Sequence, residues 1–440
     1  MQAWYQRIPA ERIREQPTEE SPQWQLGPDG WPPCPQQPRD AQIMRKKGGT
    51  AGTDVSRPFD WKPHWAVPDR RRHDQKGTRR MENSAATTSF APTTPELTPL
   101  PSVNQNHTGP AIGRTNLLGG PTMPALPTFS VSTRMRGRHL LTDTDLSPEE
   151  IMEVIDTAAR LKRMHKNGQP HHYLTGKSIG MIFQMPSTRT RVSLEAGMAQ
   201  LGGQAIFLGV NDLQTSRGET IGDTAQILSR YVDGVVARVY DHNTLVEMGE
   251  NASIPVMNGL SDLCHPLQAW ADMLTLTERF GDLKGLKVVY LGDGNNMVQS
   301  LMLTGAALGV SVVAATPEEF APSEKVVQYA NWIGSGNGAT VETTTDPYEA
   351  VKGADVVYTD VHVSMGQQDA AHRAVALAPY KVTPEIMETA GSQASFMHCL
   401  PMHRDEEVSS EVVDSPQSII YDQAENRLHM HKALLVHTLS

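Results

Sequence analysis

The sequence predicts an α/β fold of doubly wound parallel sheets, with helices on both faces. Two observations carry this prediction. From residue 137 onward, apolar runs of strand length alternate with helical stretches, the pattern of parallel strands joined by crossover helices. The conspicuous polar residues fall just after those runs, at the carboxyl ends of strands, where such sheets hold their ligands. A chain of 440 residues has room for two or three domains with sizeable cores.

Residues 1–134 lack this pattern. They hold 19 of the 31 prolines and 5 of the 7 tryptophans. They include Trp31-Pro32-Pro33-Cys34-Pro35, the basic run Arg70-Arg71-Arg72 and a Ser/Thr/Pro stretch from Thr93. Such a composition predicts a mostly disordered extension with no catalytic role. A targeting tail is one alternative, although Glu11, Glu15, Glu19 and Glu20 sit badly in a transit peptide. A functional chain beginning at Met135 is the other.

The elements then follow in order. At Ser147-Pro148-Glu149-Glu150 a helix starts, with Ser147 as cap, Pro148 at the first helical position and Glu150 closing a capping box. Ile179–Phe183 reads as a buried strand and residues 192–199 as a helix. Further strands are expected at 204–210, 233–239, 254–258, 287–291, 311–315, 355–360, 395–400 and 418–422. An amphipathic helix follows His265, with Leu267, Trp270 or Ala271, Leu274 and Thr277 at helical spacing. A last helix opens at Ala424.

Between the first strand and its helix lies Ser187-Thr188-Arg189-Thr190-Arg191. A helix start offers free N–H groups and a positive dipole end, and arginine adds a planar fork, so this turn suits a phosphate. It could equally be an ordinary helix cap beside solvated arginines. Arg238 ends an apolar strand, where an unpaired charge is costly unless it meets an anion or a structural partner. His265 and Gln268, three apart at a helix mouth, face the same way and can hold a carbonyl oxygen and an amide nitrogen, or merely cap and decorate the helix.

Leu291-Gly292-Asp293-Gly294-Asn295-Asn296 superficially resembles a dinucleotide turn, but Met297 breaks the G-x-G-x-x-G spacing. Its asparagines suit a carboxylate. Asp360, followed by Ser364-Met365-Gly366, can bind an ammonium group or act as a cap. In His398-Cys399-Leu400-Pro401 no second cysteine lies near for a zinc site, and adjacent His and Cys on a strand point to opposite faces. Cys399 then reads as a thiol beside a ligand and Leu400 as a carbonyl acceptor. Arg427 lies near the start of the last helix.

A net charge of −10 argues against non-specific nucleic-acid binding. There is no apolar run near membrane-spanning length and no signal-peptide core. Three cysteines, Cys34, Cys264 and Cys399, suit a reducing cytoplasm.

Ser187–Arg191, Ala237-Arg238-Val239-Tyr240, His265–Gln268, Asp360 with Ser364–Gly366, and His398–Pro401, in this order, resemble the aspartate/ornithine carbamoyltransferase superfamily over residues 137–440. The resemblance implies two domains: residues 137–280 for carbamoyl phosphate, completed by the helix 424–440, and 284–422 for L-ornithine. It implies that Ser187, Thr188, Arg189, Thr190 and Arg238 hold phosphate, and that His265 and Gln268 hold the carbamoyl group. Cys399, Leu400 and Arg427 complete that pocket, and Arg238, His265, Cys399 and Arg427 serve catalysis. Asn296, Asp360, Ser364 and Met365 match ornithine-binding positions. Gln214 matches a position that reaches a neighbouring subunit's phosphate site, which implies a homotrimer, or a multiple of it, with shared sites. The implied reaction is direct attack of the ornithine δ-amine on the carbamoyl carbon, giving L-citrulline and phosphate, with no cofactor and no metal.

Two departures stand out. His362 occupies a position where the family often has Trp, and Gln184-Met185 replace a common Glu-Lys. Putrescine is the rival amine, but Asn296 and Ser364–Gly366 favour an amino acid. Aspartate is disfavoured because it would call for cations in place of Asp360. A nucleotide-binding oxidoreductase would rest on Gly292-Asp293-Gly294 alone.

Overall fold

The structure, a computed structural model, describes residues 131–440 except Met365, Gly366 and Gln368. The expected extension lies outside these residues apart from 131–134. Those four approach the folded unit: Val131 packs on the core and Arg134 pairs with Glu153 at 2.8 Å.

The first half begins with α1 (Pro148–Lys166), capped as expected: the Ser147 hydroxyl accepts the Glu150 N–H and the Glu150 carboxylate accepts the Ser147 N–H. Then come β1 (Ser178–Phe183), α2 (Thr188–Gln200), β2 (Gln204–Gly209), α3 (Ile221–Tyr231), β3 (Gly234–Arg238), α4 (His242–Asn251), β4 (Val256–Leu260) and α5 (Pro266–Phe280). The second half runs β5 (Lys287–Leu291), α6 (Asn296–Leu308), β6 (Ser311–Ala315), α7 (Glu324–Gly334), β7 (Val341–Thr344), α8 (Pro347–Val351), β8 (Val356–Thr359), α9 (Ala370–Leu377), α10 (Pro384–Ala390), β9 (Ser395–His398), α11 (Ser410–Val413) and α12 (Ile420–Leu439).

Two wholly parallel sheets result, in orders β2-β1-β3-β4 and β7-β6-β5-β8-β9. Alternate residues of each strand enter different cores. Ile179 and Met181 join one cluster and Ile182 another; Val288 and Tyr290 join one and Val289 and Leu291 another. Both faces of both sheets are therefore covered, as the apolar runs require. In each sheet the order reverses at one place, beside β1 and β3 and beside β5 and β8. Crevices open at such reversals.

One expectation is corrected, and two features go beyond what was expected. Residues 418–422 are not a strand: Ser418 makes one bridge to Phe396, and α12 begins at Ile420. The run Ile419-Ile420-Tyr421 reads as strand-like by composition, but packing of Ile420 and the following helix against α1, α2 and α5 decides its conformation. β7 was not anticipated, because only Val341 of its four residues is buried. Nor was the burial of α5 on all sides, polar face included. Every residue from Pro266 to Leu276 is buried, because the helix runs between α1, α6, α12 and β4. Its polar residues Gln268 and Asp272 are therefore interior groups that need partners.

Candidate active site

Four strand ends build one cleft of about 860 Å³. After β1 come Ser187, Thr188 and Arg189; Arg238 ends β3; Asn295 and Asn296 follow β5; and Asp360 follows β8. His265 and Gln268 at the start of α5, Ser364, Cys399 and Leu400 after β9, and Arg427 on α12 complete its wall. Thr190 stands behind Arg427, and Gln214 is exposed outside this cleft on the turn Gln214–Arg217. Met365 lies outside the described residues.

The cationic side of this arrangement is crowded. Arg189, Arg238 and Arg427 share one wall, and among the described residues the Nε of each is buried without a partner. Burial pushes Arg238 down to about 10, with Arg189 adding repulsion. Burial likewise pushes Arg427 down to about 10, with Arg238 and Arg189 repelling it. All three still carry their charge near neutral pH. Like charges so placed oppose folding unless an anion joins them.

Ser187 caps α2, accepting the Thr190 N–H at 3.4 Å and donating to the Thr190 hydroxyl at 3.0 Å. Arg427 donates to that same hydroxyl at 2.6 Å, leaving the Thr190 proton to be donated elsewhere. Burial, reinforced by Arg427 and Arg238, holds His265 well below its ordinary value, so its ring is neutral. Its backbone N–H donates to the Ser300 hydroxyl at 2.8 Å, which donates to Asp143 at 2.9 Å.

The opposite wall accepts. Asp360 takes the Val361 N–H at 2.8 Å, the Asn295 amide at 3.0 Å and the Cys399 thiol at 3.1 Å. Burial, then the Asp360 charge, pushes that thiol well up, so it is a donor and not a thiolate nucleophile. Asn295, one of the two asparagines expected to suit a carboxylate, thus touches that of Asp360, whereas Asn296, the one matched to ornithine binding, donates to the Ser261 carbonyl at 2.5 Å. Ser364 is held through Gln367 to Asp293, which also pairs with Arg373 at 2.9 Å. His362 does not line the cleft; its ring is buried beside Gly292.

The dinucleotide reading of the glycine turn fails on space. A Cβ on Gly294 would lie 2.3 Å from the Phe320 carbonyl, so this glycine admits the protein's own segment 320–322. Asp360, His398 and Cys399 bring possible metal ligands within 4.8 Å of one another, as do His403, Glu406 and Glu407. Both nitrogens of His398 are already engaged: Nδ1 accepts the Leu400 N–H at 2.9 Å and Nε2 donates to Glu407 at 3.1 Å. The pair shapes the turn that presents Leu400.

Asp143, beneath His265, makes a testable contribution. Burial pushes its carboxyl up to about 7, against ~3.9 in an unfolded chain. The folded protein keeps this proton where the unfolded chain has lost it. Stability therefore falls as the pH rises between those values. Asp143→Asn should flatten that slope, read as urea midpoints at about pH 5 and about pH 8. An unchanged slope would refute the assignment.

Two family models match in tandem: aspartate/ornithine carbamoyltransferase, carbamoyl-P binding domain, over residues 138–278, and the Asp/Orn binding domain of the same family over residues 284–438. The chain is 52% identical over 302 residues to an ornithine carbamoyltransferase of Pyrococcus abyssi, covering 68% of this chain and 95% of the relative. It is 48% identical over 312 residues to that of Anoxybacillus flavithermus, covering 71% and 99%. The solved ornithine carbamoyltransferase from Pyrococcus furiosus matches with a TM-score of 0.68 at 51% identity, covering 69% of this chain and 98% of that one. A mitochondrial one from Coccidioides immitis matches with a TM-score of 0.64 at 35% identity, covering 69% and 100%.

Proposed function

Because this chain belongs to the aspartate/ornithine carbamoyltransferase family, we propose that its cleft transfers the carbamoyl group of carbamoyl phosphate to the δ-amine of L-ornithine, giving L-citrulline and phosphate. The single observation that carries this reading is the wall of three guanidinium groups, from the start of α2, the end of β3 and α12, which form no ion pair among the described residues and face Asp360. A dianion and an amine are what such walls recognise.

Ser187, Thr188, Arg189 and Arg238 take the phosphate, with Arg427. His265 and Arg238 face the carbamoyl oxygen, and the Thr190 hydroxyl, behind Arg427, holds that guanidinium in place. Gln268 and the Leu400 carbonyl face its nitrogen. Asp360 and Cys399 place the amine, and Asn296 and Ser364, with Met365, take the amino-acid end. The neutral δ-amine attacks the carbamoyl carbon, an N–C bond forms, the C–O bond to phosphate breaks, and the amine proton leaves on a phosphate oxygen. Positioning and electrostatic stabilisation supply the acceleration. The substrate brings its own leaving group, so a neutral His265 and a protonated Cys399 suffice.

The test is citrulline formation from carbamoyl phosphate and ornithine, with putrescine and aspartate as competitors. Turnover preferring ornithine by at least tenfold supports the reading; preference for another amine overturns it. A chain starting at Met135 should keep full activity, consistent with Met135 itself being buried and Gly137 bonding to Thr438. A reducing cytoplasm is the compartment proposed for this reaction, since the unpaired Cys264 and Cys399 suit it. Among the described residues no helix is long and apolar enough to cross a membrane.

The active unit is proposed to be a trimer in which Gln214 reaches the phosphate of a neighbour. Exposed Val192, Ile206 and Val210 lie on α2, on β2 and just after it, shortly before the turn that carries Gln214. Gln214→Ala should lower kcat/KM for carbamoyl phosphate by about 10-fold, the scale of one lost hydrogen bond to a charged group. Light scattering should give three chain masses. A fully active monomer would refute both.

A further inference from the structure

We propose that Asp272 is a positioning residue for the carbamoyl subsite: it sets the Gln268 amide so that its oxygen, not its nitrogen, faces the cleft. The inference rests on the reading above that the cleft holds a carbamoyl group. The two ends of a glutamine amide have nearly the same shape and opposite hydrogen-bonding character. A carbamoyl NH2 needs an acceptor, so a reversed Gln268 would oppose donor to donor.

The orientation can be traced to a group that cannot reverse. The His398 backbone N–H donates to Gln423 Oε1 at 2.9 Å. That turns Gln423 Nε2 toward Asp272 Oδ1 at 2.8 Å and the Tyr358 hydroxyl at 3.0 Å. Tyr358 donates to the other carboxylate oxygen of Asp272 at 3.0 Å. Burial pushes this carboxyl up to about 7, so a proton can lie between Oδ2 and Tyr358, but Oδ1 stays an acceptor, and Gln268, one turn earlier on α5, meets that same oxygen through Nε2 at 2.8 Å. The amide oxygen is left over. It is buried, has no partner, and belongs to a residue of the cleft wall.

The donors come from three places: α5, α12, and β8 two residues before Asp360. A carboxylate buried among neutral donors, with no cation bonded to it, is a costly way merely to join helices. Its value lies in the acceptor at Oδ1. An asparagine there keeps that acceptor; a leucine keeps the volume and loses it.

The experiment uses the full chain. In Asp272→Asn the amide oxygen takes the place of Oδ1, where Gln268 and Gln423 both donate, and activity should stay within about threefold. In Asp272→Leu that acceptor is gone and Gln268 reverses. kcat/KM for carbamoyl phosphate should fall about 10- to 100-fold, the scale of one unsatisfied buried polar group. Binding of inorganic phosphate, measured by calorimetry, should stay within about twofold, because phosphate lacks the carbamoyl nitrogen. Glutamate has oxygen at both ends. Gln268→Glu alone should therefore lower activity, by setting two carboxyl groups face to face, yet raise it at least about tenfold when added to Asp272→Leu. Wild-type activity in Asp272→Leu, parallel loss of phosphate binding, an equal loss in Asp272→Asn, or no gain in the double variant would each overturn the proposal. Failure of the unaltered chain to form citrulline would instead overturn the functional reading beneath it.

Discussion

Arg238→Ala is expected to lower kcat/KM for carbamoyl phosphate by about 10³-fold, or ~4 kcal/mol, the upper range for losing one preorganised donor in a dry site. Arg238 is 7% exposed at the end of β3, with its Nε unpartnered. In the proposed complex it faces both the phosphate and the oxygen on which charge develops. Arg238→Lys should recover only part of this, since an ammonium cannot offer the planar fork.

The same variant carries a second expectation of opposite sign. Empty, the site holds three guanidinium groups that repel one another, and burial has already lowered Arg238 to about 10. Removing one relieves the other two. Unfolding midpoints in the absence of ligand should therefore hold steady or rise, while the stabilisation given by added phosphate shrinks. Stability and activity falling together would mean that Arg238 is a structural partner, contrary to the assignment.

Asp360→Asn should act on the other substrate. kcat/KM for ornithine is expected to fall about 10²- to 10³-fold, with carbamoyl phosphate binding within about twofold. Asp360 accepts from Val361, Asn295 and Cys399, and its charge is what a cationic or strongly donating amine meets across the cleft. An amide at this position turns a donor either toward Asn295 or toward Val361 and Cys399. Unchanged ornithine kinetics, measured as initial rates with saturating carbamoyl phosphate, would remove Asp360 from the amine subsite.

Much of this was legible along the chain. The capping box at Ser147, the strand-to-helix turn at Ser187 and the helix start at His265 depend on neighbours within four residues, and the structure holds each of them. Eight of the nine strands coincide with apolar runs, because a strand covered on both faces has to be apolar nearly throughout. β7, at the sheet edge with two exposed residues, escapes that rule. The run at 418–422 obeys it and still enters a helix, because contacts to α1, α2 and α5 outweigh local preference.

The site divides in the same way. Ser187, Arg189, Arg238, His265, Asp360 and Cys399 declare themselves by standing at strand and helix ends. Nothing near Gln423 in the chain marks it as a partner of Asp272, 151 residues away, nor Asn295 as a partner of Asp360, 65 residues away. The sequence by itself determined the alternating elements, the strand-end chemistry and the family. Only the tertiary structure decided that three arginines share one uncompensated wall, that α5 is buried all round, and which way Gln268 faces. Local pattern follows from steric and hydrogen-bonding rules acting over a few residues. Charge proximity, burial and amide orientation depend on which distant segments the packing of two sheets brings together.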